Sequence, residues 1–468
     1  MSTTIHPAHT QVPSGPRGHL IYGNLLSVRR DPLNFYTAAH AQYGDIVRFR
    51  SIGPFYWYLV AHPDDIEHVL RSKYYPKGPF VNPIKTLVGN GLITSEGEFW
   101  LRQRRLAQPA FHRRQLAEMA VTMSATAQSL ADRWQPIAQQ EQPVDVAQEM
   151  MHLTLQIVAE ALFSTDISAS VGDVEQVLPT LLEYVTYRSL HPLALPEHYP
   201  TPRNRRFLRA RDKLDRLVYR LIEERRTSDD HPSDLLSMLL DAQDEETGER
   251  MTDEQLRDEV MTILLAGHET TAVALAWTWY LLAQHPQVEQ KLHAELDAVL
   301  AGRTPTLEDL PRLSYTRMVI EEVMRLYPPA WAIVRQAAVD DDLHGFRIPA
   351  KSPVIVMPYV THRHPDFWER PNAFEPERFA PGRDAERHKF AYFPFGGGPR
   401  QCIGNNFALM EAQLILATLA QHYTLDLVPD HPVEPEPTVT LRPRYGIRTI
   451  VKPWKSAKPS AAAPSLLT

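Results

Sequence analysis

Phe395-Gly396-Gly397-Gly398-Pro399-Arg400-Gln401-Cys402-Ile403-Gly404 decides how this chain is read. Cys402 is the only cysteine in 468 residues. It follows a glycine-rich turn and precedes Asn405 to Leu419, a run with the apolar spacing of an amphipathic helix. A thiolate at a helix N-terminus faces the positive end of the macrodipole, which favours the ionised sulfur that binds metal. The glycines open backbone angles closed to other residues, so amide N–H groups can turn towards the sulfur. Gly404 leaves room for a flat group to approach the helix. A free cysteine taken alone is more often an inert buried side chain. The fixed glycines, Phe395 and Arg400 turn the reading towards a ligand.

The segment resembles the haem-ligand loop of the cytochrome P-450 superfamily, Phe-Gly-x-Gly-x-Arg-x-Cys-x-Gly, at every fixed position. In that family a cysteine thiolate is the axial ligand of haem iron. The resemblance implies haem b held by Cys402, within a loop that includes Phe395, Gly396 and Gly404, and dioxygen as co-substrate. It also implies the fold: mainly α with a small β-rich lobe. Helices form a prism, with the haem between a long central helix and the helix after the cysteine loop. The likeness covers roughly Val12 to Lys452. Residues 1–455 therefore read as a single catalytic domain. Residues 456–468, rich in Ala, Ser, Pro and Lys, read as a disordered tail.

Composition narrows the alternatives. Lys+Arg 49 against Asp+Glu 56 leaves a formal charge of -7, which argues against a general nucleic-acid binder. One cysteine excludes a disulfide framework and a four-cysteine zinc site, and suits a reducing cytoplasm. Met1 to Gly18 holds no basic-then-apolar leader, and no stretch shows the roughly 20 apolar residues of a bilayer span. The expectation is a cytoplasmic monomer with no membrane anchor, resembling the soluble bacterial form of the family.

Local signals set the framework. Asp31-Pro32 starts a helix that stops at Gly44. Ile46 to Arg50 and Phe55 to Val60 read as a hairpin across Gly53-Pro54. Helical spacing is present in Glu98 to Leu116, Ala147 to Phe163 and Arg203 to Arg226, while Tyr74 to Glu96 reads as loop. The longest helix runs from Thr252, with Gln255 at the capping-box position, to about Gln284, where Pro286 ends it. Another helix, Tyr315 to Leu326, stops at Pro328-Pro329. No internal repeat is visible.

Ala266-Gly267-His268-Glu269-Thr270-Thr271 lies at the centre of the long helix. Gly in mid-helix costs about 1 kcal/mol relative to Ala, so Gly267 asks for a packing or functional reason. A Thr bonding back to a carbonyl one turn earlier can open a helix locally. The six residues resemble the family's oxygen-activation motif. The resemblance implies that Thr270 steadies the activated oxygen and that Glu269 helps relay protons.

Glu322 and Arg325 share one helix face at i, i+3. With Phe374-Glu375-Pro376-Glu377-Arg378-Phe379 they resemble the family's Glu-Arg-Arg network, with Arg378 as third member. Trp100 and Arg104 at i, i+4, together with Arg335 and Arg400, resemble the residues that meet the haem propionates. Arg102, Arg104, Arg105, Arg113 and Arg114 concentrate positive charge, either as a solvated helix face or as a docking patch for an acidic electron donor. By resemblance the donor is a separate ferredoxin or flavodoxin with its NAD(P)H-dependent reductase. The substrate wall comprises Phe80, Val81, Ile84, Leu87, Ile263, Trp331, Ile333, Val334 and Leu441, which suits a hydrophobic small molecule. Arg188 or His191 would anchor a carboxylate. The implied activity is monooxygenation, as hydroxylation or epoxidation. A peroxide-driven peroxygenase and a non-catalytic haem sensor or carrier are the alternatives.

Overall fold

A computed structural model describes residues 11–454, apart from 52–54, 164–167, 192, 229–233, 245 and 384. The Gly53-Pro54 turn and the tail from 456 lie outside these residues.

The long helix Asp253–Gln284 is the axis of the molecule. Its start carries the expected capping box: Gln255 N donates to the Thr252 hydroxyl, and Thr252 N donates to Gln255 Oε1 at 3.0 Å. Thirty-two residues at 1.5 Å each span about 48 Å. Helices Val146–Phe163, Ser314–Leu326 and Asn405–Ala420 pack around it. Because neighbours surround it, it is apolar on nearly every side. By length and composition it meets the requirement for a bilayer span, contrary to the expectation that no stretch does. Yet 78% of its most apolar window is buried inside the fold, which makes it a core helix.

The long helix ends at Gln284 as expected; the chain turns at His285, and Pro286 takes the first position of a new helix, Pro286–Leu300, where its missing N–H costs nothing. Two local expectations change. Glu98 to Leu116 is two helices rather than one. Gly97–Ala107 ends in a 3-10 turn at Gln108–Phe111, where Pro109 cannot donate, and Arg113–Gln139 follows. The stretch read as loop contains the helix Asn82–Val88, opened by Pro83. The start at Asp31-Pro32 holds as expected: Asp31 accepts from Asn34 N at 3.1 Å, and the helix closes at Gly44 with φ 89.

The β-rich lobe is a four-stranded sheet in the order Ile46–Arg50, Tyr56–Val60, Pro353–Val356, Ile333–Gln336. Tyr58 pairs in parallel with Val354, and Val334 pairs antiparallel with Ile355. Val60, Val354 and Val356 fill one face of the sheet. Leu59 and Ile355 fill the other. The last strand thereby carries Ile333, Val334 and Arg335 to the edge of the central cavity.

Candidate active site

The cysteine loop is fixed by its own backbone. Cys402 N donates to Phe395 O at 3.0 Å, and Gln401 N donates to Gly398 O at 3.1 Å. Gly396 and Gly398 have φ of 69 and 68, a region side chains avoid. Gly398 also lies against Leu70: a Cβ there would stand 2.4 Å from the Leu70 carbonyl oxygen. Gly404 caps the helix Asn405–Ala420. Cys402 is exposed, but only towards a cavity enclosed by protein. Burial therefore pushes its thiol up from the ordinary value. The Gly404 N–H and the Arg104 guanidinium pull it back towards the thiolate.

Cations ring the same cavity. Arg104 Nη1 donates to Gln401 O at 2.9 Å, next to the cysteine. Arg400 lies over the Trp100 ring at 3.7 Å and donates to Ser95 O at 2.9 Å and to Glu96. Lys77 Nζ donates to Ile93 O at 2.5 Å and to Leu92 O at 3.1 Å. Arg335 has only its neighbour's Val334 carbonyl, at 3.0 Å, as a hydrogen-bond partner among the described residues. Burial lowers the pKa of all four, Lys77 to about 7 and Arg335 to about 10. Mutual repulsion adds to the shift at Lys77, Arg335 and Arg400, where Glu96 opposes it, joined at Lys77 by Glu259.

The cavity measures about 1220 Å³ and runs from Cys402 to the long helix. Ala266, Gly267, Thr270 and Thr271 line it there. A Cβ on Gly396 or Gly404, both in its wall, would meet no protein atom closer than 3.7 Å. The space beside the sulfur thus takes a broad flat group. The surplus of cations over carboxylates here suits a group that brings acid substituents. Haem, with its apolar ring and two propionates, fits both demands.

The family model for cytochrome P450 matches residues 13–450. The chain is 41% identical over 442 residues to cyclooctatin synthase of Streptomyces melanosporofaciens, with 94% of each chain covered. It is 36% identical over 424 residues to pentalenene oxygenase of Streptomyces avermitilis, covering 90% of this chain and 93% of that one. The crystal structure of the cytochrome P450DA heme domain superposes with a TM-score of 0.87 at 29% identity, over 95% of this chain and 98% of that chain. This chain belongs to the cytochrome P450 family.

As a P450 it is a monooxygenase that takes haem with a cysteine thiolate ligand and uses O2 as co-substrate. It acts on hydrophobic substrates with electrons from redox partners.

In the long helix, Thr270 Oγ1 donates to Ala266 O at 2.7 Å, the expected back-bond. The helix nevertheless remains unbroken. Gly267 has a packing reason, since a Cβ there would come within 3.1 Å of Val158. Glu269 departs from the expectation. Its carboxylate is buried behind the helix, away from the cavity lining, and accepts from Thr440 Oγ1 at 2.9 Å. Burial pushes its pKa up, against the opposing pull of Thr440 and Arg442.

The Glu-Arg-Arg residues meet as the motif implies. Arg325 donates to both Glu322 oxygens, at 2.7 and 2.8 Å, with neither side chain reached by solvent. It also donates to the carbonyls of His362, Pro371 and Ala373. Arg378 stands 3.4 Å from Glu322 and 2.9 Å from Glu375. The network ties the helix Ser314–Leu326 to the coil that leads to the cysteine.

Phe80, Val81, Ile84, Ile263, Trp331, Ile333 and Val334 line the cavity as expected. Leu87 and Leu441 do not. Leu87 faces the main core, and Leu441 is wholly buried, with its carbonyl accepting from Trp277 Nε1 at 2.7 Å. Arg188 reaches the cavity, but its guanidinium donates to the carbonyls of Ala194 and Leu195. His191 is bonded to the Tyr187 carbonyl and to Arg29. Both are occupied by protein groups, contrary to the carboxylate-anchor expectation. The arginine patch also divides. Arg102 and Arg105 pair with Glu249, Asp244 and Glu246, while Arg104 turns inward. Arg113 and Arg114 remain exposed, with no ion pair among the described residues. Lys77 and Glu96 were missed. The one signal was Lys77, one of two lysines (with Lys85) in an otherwise apolar, Pro- and Gly-rich stretch.

Proposed function

We propose that this P450 oxidises a neutral, polycyclic, terpene-like hydrocarbon or alcohol. The observation that carries the reading is the distal cavity wall: it is apolar, and Arg188 and His191 are already bonded to protein. A carboxylate substrate anchored by Arg188 or His191 would have to displace these protein partners. The printed names of the relatives, pentalenene oxygenase and cyclooctat-9-en-7-ol 5-monooxygenase (38% identical), point to the same chemical class.

Cys402, the single thiol, is the residue that would hold the iron. Arg104, Arg335, Arg400 and Lys77 would hold the propionates, and Trp100 packs beneath Arg400. Bound haem supplies the activation of dioxygen, with the thiolate's electron donation favouring O–O cleavage. The chain's own part is to exclude water, orient the substrate and deliver protons. Thr270 keeps its hydroxyl proton on Ala266 O and, by rotating χ1, can present it to the cavity. Glu269 can replenish that proton only after leaving Thr440, so the relay needs a side-chain swing. Electrons come from a separate acidic ferredoxin or flavodoxin with its NAD(P)H-dependent reductase, docking at the exposed Arg113 and Arg114. Residues 1–455 act as a single catalytic domain, as a cytoplasmic monomer.

Titration with neutral sesquiterpenes and diterpenes, set against fatty acids, tests the substrate class through the substrate-induced spectral shift. Shifts from the acids alone would overturn it. Thr270→Ala should keep the haem spectrum and lower product formed per NAD(P)H by about 10-fold or more, within the range of proton-transfer effects. Full coupling in that variant would remove Thr270 from the mechanism.

A further inference from the structure

Outside the cavity, three side chains with metal-ligating atoms meet at the start of the helix Pro63–Arg71. His62 caps this helix, and Asp64 belongs to its first turn. His344 reaches them from the turn between the paired strands Asp341–Leu343 and Phe346–Ile348. One ligand atom from each of the three lies within 4.8 Å of the other two. His344 is far from the other two in sequence, so only the fold brings the set together.

The spacing suits a shared ion better than a hydrogen bond. His62 Nδ1 stands 3.6 Å from Asp64 Oδ2. That is too long for a hydrogen bond. It is close to the separation of about 3.4 Å between two ligands on one tetrahedral zinc. Asp64 N donates to His62 Nδ1 at 3.3 Å, so this nitrogen carries a lone pair. The bond is long, and water can replace it at a helix start.

Behind each ligand stands a group that fixes it. His344 Nδ1 donates to Asp65 Oδ2 at 2.6 Å, which leaves the lone pair of the neutral ring on Nε2. Asp65 is buried while His344 is exposed, so the ring is held from below and open to solvent above. His388 Nδ1 accepts from Phe390 N at 3.1 Å. Its Nε2 proton therefore faces Asp64 Oδ1, also at 3.1 Å, and Asp64 Oδ2 stays available. The His62 ring makes edge contacts with His344 and Phe367. Carboxylate–histidine pairs of this kind orient the ligands of metal centres. The cluster His40, Asp45 and His364 differs, because it is closed on itself. Both Nε2 atoms donate to the same Asp45 Oδ1, at 3.0 and 2.9 Å, so they hold protons where an ion needs lone pairs.

We propose that His62, Asp64 and His344 bind one divalent transition-metal ion such as zinc, with water completing its shell. Two imidazoles and one carboxylate select such an ion over magnesium and calcium, which take oxygen ligands. The ion ties the hairpin turn to the helix Pro63–Arg71, whose main chain backs Gly398 in the cysteine loop. The site shares no residue with the cavity lining, so occupancy can be read without turnover or substrate.

Calorimetric titration of zinc into the full-length, haem-loaded, tag-free chain, stripped first with a chelator, tests the proposal. Wild type should take up one equivalent, and zinc should raise its melting temperature, as a ligand of the native state does. His344→Asn preserves the turn, since Asn tolerates the positive φ of 44 found there. This variant and Asp64→Ala should each bind zinc about tenfold more weakly or worse, and Asp65→Asn should weaken it through His344 alone. His40→Ala should bind zinc like wild type, and excess magnesium should not compete. No uptake by wild type, or equal uptake by His344→Asn and Asp64→Ala, would overturn the proposal. Loss of uptake in His40→Ala alone would place the ion in the other cluster and would also overturn it.

Discussion

The two sides of the cavity are built on different principles. On the side of Cys402, residue type is dictated atom by atom. Gly398 has no room for a Cβ, Cys402 supplies the only thiol, and Arg104, Arg335, Arg400 and Lys77 gather around the Glu96 carboxylate paired with Arg400. On the substrate side the wall is Phe80, Val81, Ile84, Ile263 and their neighbours, where one apolar residue replaces another at modest cost. The first side fixes the chemistry shared by a family, and the second can drift towards a new substrate. Specific, strained or charged positions write themselves into a sequence. Interchangeable apolar ones do not.

Breaking the first side should be drastic. Cys402→Ser should abolish the reduced carbon-monoxide band of thiolate haem and reduce activity to background. An intact band would refute the ligand assignment. Glu322→Ala comes next. It leaves Arg325 buried without its carboxylate, a loss of about 3–5 kcal/mol, read as a lower urea midpoint and poor haem retention. A midpoint within experimental error of wild type would show that the network is not needed for stability.

Lys77 should have a smaller effect with a definite sign. In the apo chain its pKa is lowered to about 7, while the unfolded lysine stays near 10.5. Between those values the unfolded chain holds one more proton, so Lys77 makes apo stability rise with pH across that window. Lys77→Met should flatten that rise in apo melts and should speed haem loss several-fold. An unchanged pH profile would place Lys77 outside the cation cluster. The gentlest change lies on the second side. Val81→Ala should shift substrate affinity by less than about tenfold and leave haem retention untouched. Haem loss in that variant would erase the contrast between the two sides.

What could be read beforehand follows the same division. The capping box at Thr252 and Gln255 and the Asp31-Pro32 start were legible because caps need particular side chains. The cysteine loop, the Thr270 back-bond and the Glu322–Arg325 pair were legible through motif spacing. Direction was not. Leu87 and Leu441 have the right chemistry for a cavity wall but face the core, and Glu269 turns to Thr440, which lies far along the chain. Arg102 and Arg105 looked like part of a docking face until Asp244, Glu246 and Glu249 folded onto them. Such partners are distant in sequence, and no local pattern announces them. The break at Pro109 was hidden for another reason, since proline both ends and begins helices.

At Gly398 the seat of the thiol meets the main chain of the helix Pro63–Arg71, first of all the Leu70 carbonyl. Every amino acid has that carbonyl. Natural variation can therefore change the side chain at Leu70 among apolar types without altering this contact, which the main chain makes. Insertions or deletions that shift its backbone cannot be absorbed in the same way. Tolerance to substitution and intolerance to length change should coexist in this one short stretch.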